Sequence, residues 1–187
     1  MALQPGTSQF GPDRGRVILR TTRAGLAGAA GHDLTIEIGQ WAGTLTVLAD
    51  QSPASLEVRL EMGSLAVVAA AGGLKPLSDK DKREIAGTTR KVLGVQRHPQ
   101  ATFSAEKFEP GPDGGVISGS LTLAGNTRPL ALQVASTGPD AYRATAAVRQ
   151  TQFGIKPYSG LLGTLKVADV VSIEVDIDVS GLPAPRG

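Results

Sequence analysis

A chain of 187 residues without cysteine, carrying 19 Lys and Arg against 17 Asp and Glu, has no means of forming disulfides or thiolate metal sites and lacks the dense basic tract of a nucleic-acid arm. Its longest apolar run, residues 65–71, falls far short of the roughly 18–20 residues that a membrane-spanning helix needs. With 4 Phe, 2 Tyr and 1 Trp the chain is too poor in aromatic rings for base-stacking platforms, so no nucleic-acid partner is expected.

Residues 1–15 hold Pro5, Gly6, Gly11 and Pro12 and read as a flexible lead-in. They contain no apolar stretch of about 7–15 residues of the secretory-signal type, which predicts a cytoplasmic protein. One domain is expected over residues 16–180, followed by a tail at 181–187. The first predicted strand is 16–22, and a Gly-rich link at 24–31 leads to a second at 33–38, where Leu34, Ile36 and Ile38 share a face. Residues 39–43 read as a turn around Trp41, 44–48 as the returning strand, and 55–62 as a half-buried strand. In that last segment Leu56, Val58, Leu60 and Met62 alternate with Glu57, Arg59 and Glu61, the period-two pattern of a sheet with one wet face.

Residues 78–93 are the one segment that reads as a long helix. Ser78 is placed to cap it, Asp81 sits three residues on, and Asp79 and Asp81 complement the positive end of the helix dipole. Ile85, Thr89, Val92 and Leu93 form a single stripe, and Gly94 supplies a stop. Strand patterning resumes at 101–107 and continues through VISGSLTLAGNTRPLALQV at 116–134, a hairpin with its hinge at 125–129. It then covers 141–150 and ends at 171–179, where Val171, Ile173, Val175, Ile177 and Val179 oppose Glu174, Asp176 and Asp178. Eight or nine antiparallel strands with short turns must hide their edges, either by closing into a barrel or by packing as a sandwich.

Four stretches in order, LKPLSDKDKREI (74–85), HPQATF (98–103), LTLAGNTRPLALQV (121–134) and VRQTQFGI (148–155), resemble the YceI-like family over residues 16–180. The resemblance implies an all-β fold: an extended lipocalin-like antiparallel β-barrel of about eight strands with one amphipathic helical insertion. It also implies a bacterial protein whose apolar interior holds a long isoprenoid or related lipid tail. Gln152 stands before Phe153 where the family commonly has an acidic residue.

Of the chemistry-bearing residues, His32 and His98 lack the spacing of a metal pair, and His32 and Asp33 point to opposite faces of a strand. No nucleophile elbow is present. No catalytic residue, metal site or cofactor is therefore assigned. The expected function is non-enzymatic binding, carriage or storage of a polyprenyl, quinone or fatty-acyl lipid, on a wall comprising Ile36, Ile38, Trp41, Leu45, Phe103, Leu121, Ala144, Ala146, Phe153 and Tyr158. Small residues on strand faces, Gly119, Ala144 and Ala146, would leave room inside. Lys80, Lys82, Arg83, Arg90 and Lys91, flanked by Lys75 and Arg97, give the helix a basic face for a diphosphate or for transient contact with an anionic membrane surface. The alternatives are a solid-cored barrel that meets another protein through that helix, and a small lipid-modifying enzyme using His32 or His98.

Overall fold

In the computed structural model of the protein, residues 5–26 and 28–180 are described. Eleven strands form one continuous antiparallel sheet and three short ones a second. In chain order they are β1 (Gly6–Phe10), β2 (Gly15–Thr21), β3 (Arg23–Ala24), β4 (His32–Ile38), β5 (Trp41–Val47), β6 (Pro53–Glu61) and β7 (Leu65–Gly72). After helix α1 (Asp79–Val92) come β8 (Gln100–Gly111), β9 (Gly114–Leu123), β10 (Asn126–Ser136), β11 (Ala141–Arg149), β12 (Ser159–Gly160), β13 (Leu165–Val167) and β14 (Val170–Asp178).

The large sheet runs β1-β5-β6-β8-β9-β10-β11-β14-β2-β4-β7, and the small one β12-β13-β3. Its ladder ends at β1 on one side and β7 on the other, so the expected barrel of about eight strands is corrected to an open, rolled sheet of eleven. The rolling follows from connectivity. Strands β4 and β5 stand near opposite ends of the order, yet only Gly39 and Gln40 join them, and three residues, Met62–Ser64, join β6 to β7. Links that short reach about 10 Å at most, so both ends of the sheet must meet there. Hydrogen bonds fix the junction: the Glu61 amide donates to the Gln40 carbonyl at 3.0 Å, the Gln40 amide to Ser64 Oγ at 2.9 Å, and Ser64 Oγ to the Glu61 carbonyl at 2.7 Å.

Two expectations change at this junction. Trp41 is not the centre of a turn but the first residue of β5, buried among Ile36, Ile38, Leu65 and Val67 with Phe10 edge-on at 6.0 Å. Gly43 makes room for that aromatic pair, since a Cβ there would strike the Phe10 ring. Residues 6–10, assigned to the lead-in, pair with β5 through Phe10↔Gly43 and Gly6↔Val47. The tail at 181–187 lies outside the described residues.

Helix α1 follows its sequence signals. Ser78 is the N-cap, with a reciprocal box in which the Asp81 amide donates to Ser78 Oγ and the Ser78 amide to the Asp81 carboxylate. Such a cap stabilises a helix by about 1 kcal/mol. The positive φ of 64° at Gly94 ends the helical path. Ala86 is buried in the core, and Arg90 Nε and Nη2 donate to the carbonyls of Gly63 and Leu65 at 3.1 and 2.9 Å, which ties α1 along the β7 side of the seam.

The turn of the central hairpin falls one residue earlier than its Gly-Asn signal and is tighter. Ala124 and Gly125, at φ 49° and 77°, form a two-residue connection, and Asn126 already pairs with Leu123. Two apolar clusters line the inside of the roll. The first gathers Val17, Leu34, Ile36, Ile38, Trp41 and Leu65. The second gathers Leu56, Phe103, Leu121, Leu132, Val148 and Phe153. Each fully buried Leu, Ile or Phe contributes roughly 1.5–3 kcal/mol relative to exposure.

Candidate functional site

A cavity of about 450 Å³ opens beside the first cluster, within the range of roughly 300–1,000 Å³ typical of small-molecule sites. Three elements supply its walls. From β4 come His32, Leu34 and Ile36, which share the inward parity of that strand. From α1 and its C-cap come Ile85, Thr89, Val92 and Leu93 on one side and Asp81, Glu84 and Thr88 towards the rim. From the small sheet and the segment before it come Arg23, Tyr158, Leu165, Lys166 and Val167, joined by Thr21 at the end of β2 and by Gln150.

The polar members are held individually. His32 Nε2 lies 2.9 Å from the Lys75 carbonyl, anchoring the link between β7 and α1 across the end of β4. Arg23 Nη1 donates to the Gly31 carbonyl at 2.9 Å, while its backbone amide donates to Asp33 Oδ1 at 2.8 Å. His32 and Asp33 thus serve different partners on opposite faces, as their adjacency on a strand requires. Gln150 is buried and gives its Nε2 to the Ala168 carbonyl at 2.9 Å. Thr21 differs: its hydroxyl is buried and has no hydrogen-bond partner among the described residues.

Two carboxylates stabilise the framework of the cavity. Hydrogen bonds from Ser78, side chain first and then backbone, hold Asp81 below the usual carboxylate range, with Lys75 and Lys80 adding to the effect. Asp169 is lowered chiefly by the hydrogen bond from the Thr151 hydroxyl, at 2.7 Å, which pins the 3-10 turn Gln150–Phe153 that carries Gln150. Among the described residues no group of three or more His, Asp or Glu side chains is placed to hold a metal ion.

Of the ten residues assigned to a ligand wall from sequence, Ile36 and Tyr158 line this cavity. Ile38 and Trp41 are buried in the first cluster. Leu45, Phe103, Leu121, Ala144, Ala146 and Phe153 lie in or against the second. The inward parity of Ala144 and Ala146 holds, since they lie inside with Val148 while Thr145 is exposed. Gly119 opens no space, because a Cβ there would come within 2.9 Å of Phe103 Cζ and 2.8 Å of Ala105 Cβ. The helical stripe Ile85, Thr89, Val92 and Leu93 is what the wall assignment missed, and its signal was the amphipathic pattern itself. His32 was missed too, although it has the parity of Leu34 and Ile36.

The basic face of α1 is partly committed. Arg90 ties the helix to the sheet, Lys80 pairs with Glu84 at 3.8 Å and Lys82 with Asp79 at 3.7 Å. Lys75 remains at the cavity rim.

The motif stretches at 98–103, 121–134 and 148–155 meet at one corner. Asn126 Nδ2 donates to the Phe153 carbonyl at 2.9 Å, Arg128 Nε to the Gln152 carbonyl at 3.0 Å, and the His98 ring lies against Gly125, 2.6 Å from where a Cβ would stand. The tie at position 152 uses the backbone carbonyl of Gln152.

The description of the YceI-like domain matches residues 14–179. Among solved structures, BcnA of Burkholderia cenocepacia superposes with a TM-score of 0.59 at 16% identity, over 87% of this chain and 94% of that one. A YCEI protein of Campylobacter jejuni gives 0.48 at 13% identity, over 80% and 84%. No curated protein matches. The converging corner, the rolled sheet with helix α1 along it, and the domain match across nearly the whole described chain lead to one conclusion: this protein belongs to the YceI-like family.

Proposed function

We propose that the protein binds, carries or stores an isoprenoid or related long-chain lipid without transforming it, and that the tail lies in the cavity between β4, α1 and the small sheet. One observation carries this reading: a cavity of about 450 Å³ whose deep walls are aliphatic on both sides, Leu34 and Ile36 facing Ile85, Val92 and Leu93. Each methylene moved from water into such a space gains roughly 0.8 kcal/mol, so a tail of a few isoprene units offsets the cost of immobilising it.

The polar groups suit recognition at one end of such a ligand. The unpartnered Thr21 hydroxyl and the Gln150 carboxamide lie on the wall, and Arg23, Lys75 and Lys166 surround the rim with Asp81 and Glu84 on the helix side. A head group with hydroxyl, carbonyl or phosphate oxygens meets donors here. The family resemblance supports the same reading.

Native mass spectrometry tests it with geranylgeraniol as the probe. The expected result is an adduct of one geranylgeraniol per protein, displaced by a longer polyprenol. A protein that keeps its apo mass at saturating probe, while circular dichroism reports the folded sheet, overturns the proposal.

A further inference from the structure

Three leucines stand almost entirely in solvent: Leu26 at 98% exposure, Leu162 at 106% and Leu74 at 86%. Scattered singly they would need no explanation, but their loops converge on one end of the molecule. Gly25 abuts the Thr164 carbonyl, which places the loop of Leu26 against the turn of Leu162. A Cβ on Gly31 would lie 2.6 Å from Leu165 Cδ1. Gly72 sits against the Arg23 guanidinium and Gly73 against the His32 ring, bringing in the link that carries Leu74. These same residues, Arg23, Gly31, His32 and Leu165, line the cavity, and Leu74 lines an adjoining one that shares His32 and Lys75 with it, so the three loops stand at the cavity's end of the molecule.

Leu162 carries a second cost. Its φ is 55°, a left-handed conformation that glycine or asparagine adopts readily and that strains a bulky side chain. The strain brings no packing in return, since its side chain is fully exposed. The net charge around these tips is positive. Residues 21–31, 72–78 and 155–168 contain Arg23, Lys75, Lys156 and Lys166 and no Asp or Glu; Asp33 pairs with Arg23 at 3.9 Å, which leaves the three lysines as the cations of these segments, and Asp81 and Glu84 sit on α1 across the cavity. Projecting aliphatic side chains within a cationic collar complement a surface whose outer layer is anionic and whose next layer is hydrocarbon.

We propose that this end of the molecule docks on anionic lipid bilayers, with Leu26, Leu162 and Leu74 entering the interface and the cavity mouth facing the membrane. The proposal differs from a contact through the basic face of α1, whose Arg90 is bound to the sheet. It concerns the outer surface and stands whether or not the cavity takes a lipid.

Flotation with vesicles of phosphatidylcholine containing 30 mol% phosphatidylglycerol, roughly the anionic fraction needed for a marked surface potential, tests it directly. Wild-type protein is expected to float with these vesicles, less so as salt rises, and weakly with pure phosphatidylcholine. The variant Leu26→Ser should lower the partition coefficient on the order of tenfold, as should Leu162→Gly. The glycine relieves a positive φ, so its loss of binding arises without loss of fold. Neither residue lines the cavity, so both variants should take up geranylgeraniol as wild type does; uptake and flotation fail separately if only one reading is wrong. Absence of wild-type flotation overturns the proposal, and so does wild-type partitioning of the double variant. Concentration-dependent dimerisation in ultracentrifugation, abolished by Leu26→Ser with vesicle binding unchanged, overturns it in favour of a second copy of this chain.

Discussion

Around Phe103 the inner face of the sheet is filled: its ring lies over Gly119, Leu121 is its register partner, and Phe153 and Val148 are buried alongside. Around Ile36 the same kind of inner face meets a helix instead, and a cavity of about 450 Å³ opens between strand and helix. The difference lies in what lies opposite each face. A rolled sheet facing itself interdigitates side chains to the density of a crystal. The helix, held to the β7 side by Arg90, leaves room where the side chains it turns to the cavity are short, as at Thr88 and Thr89. In this molecule, then, the second cluster supplies stability and the helix side supplies volume.

The largest expected effect that sharpens this contrast comes from Phe103→Ala. It should cost about 3–5 kcal/mol in chemical denaturation while leaving geranylgeraniol uptake per folded molecule as in wild type. Next comes Ala146→Phe, which overpacks the filled region and should cost about 1–3 kcal/mol; the outward Thr145→Phe serves as its near-neutral control. Ser78→Ala removes the cap of α1 and should cost about 1 kcal/mol. Because α1 is a cavity wall, uptake should weaken along with it, unlike for Phe103→Ala.

The smallest expected effect is one of pH. Asp81 is held below the ordinary carboxylate range by Ser78, so its folded-state pKa is depressed relative to the unfolded chain. Its contribution is complete above the unfolded value of about 3.9 and is lost as pH falls through the lower folded value. Asp169, lowered by Thr151, follows the same sign at the turn that carries Gln150. Amide exchange in the first turn of α1, followed from pH 6 downward, should therefore stay slow until the pH passes below the ordinary Asp range and then accelerate. Asp81→Asn should remove that step.

How far these regions were legible in the sequence depends on where their determinants lie. Helix α1 was legible to within a residue because its cap, stripe and stop are local. The hairpin was legible too, yet its turn was misplaced because Ala124 takes a positive φ that alanine rarely adopts. Strand β7 escaped because LAVVAAAG has no alternation of polar and apolar residues, although its burial alternates at Leu65 and Val67. Strand β1 escaped because Gly6 and the nearby Pro5 and Pro12 read as loop, and its pairing with β5 is a long-range event. The wall of the cavity was the least legible. Parity identified inward residues correctly, as at Ile36 and Ala146, but which of them pack against a partner and which line the cavity depends on the helix across the gap.

The central claim is that ligand volume lies on the α1 side and not in the Phe103 cluster, and paired uptake measurements test it most directly. Native mass spectrometry would compare geranylgeraniol occupancy in Thr88→Phe, which intrudes on the cavity from a position outside both clusters, with that in Ala146→Phe, which crowds the packed cluster. The account predicts that Thr88→Phe loses at least tenfold in affinity, about 1.4 kcal/mol, with little change in stability, while folded Ala146→Phe binds as wild type does. Retained binding by Thr88→Phe together with lost binding by Ala146→Phe would contradict it and place the tail among Leu121, Ala144 and Phe153 instead.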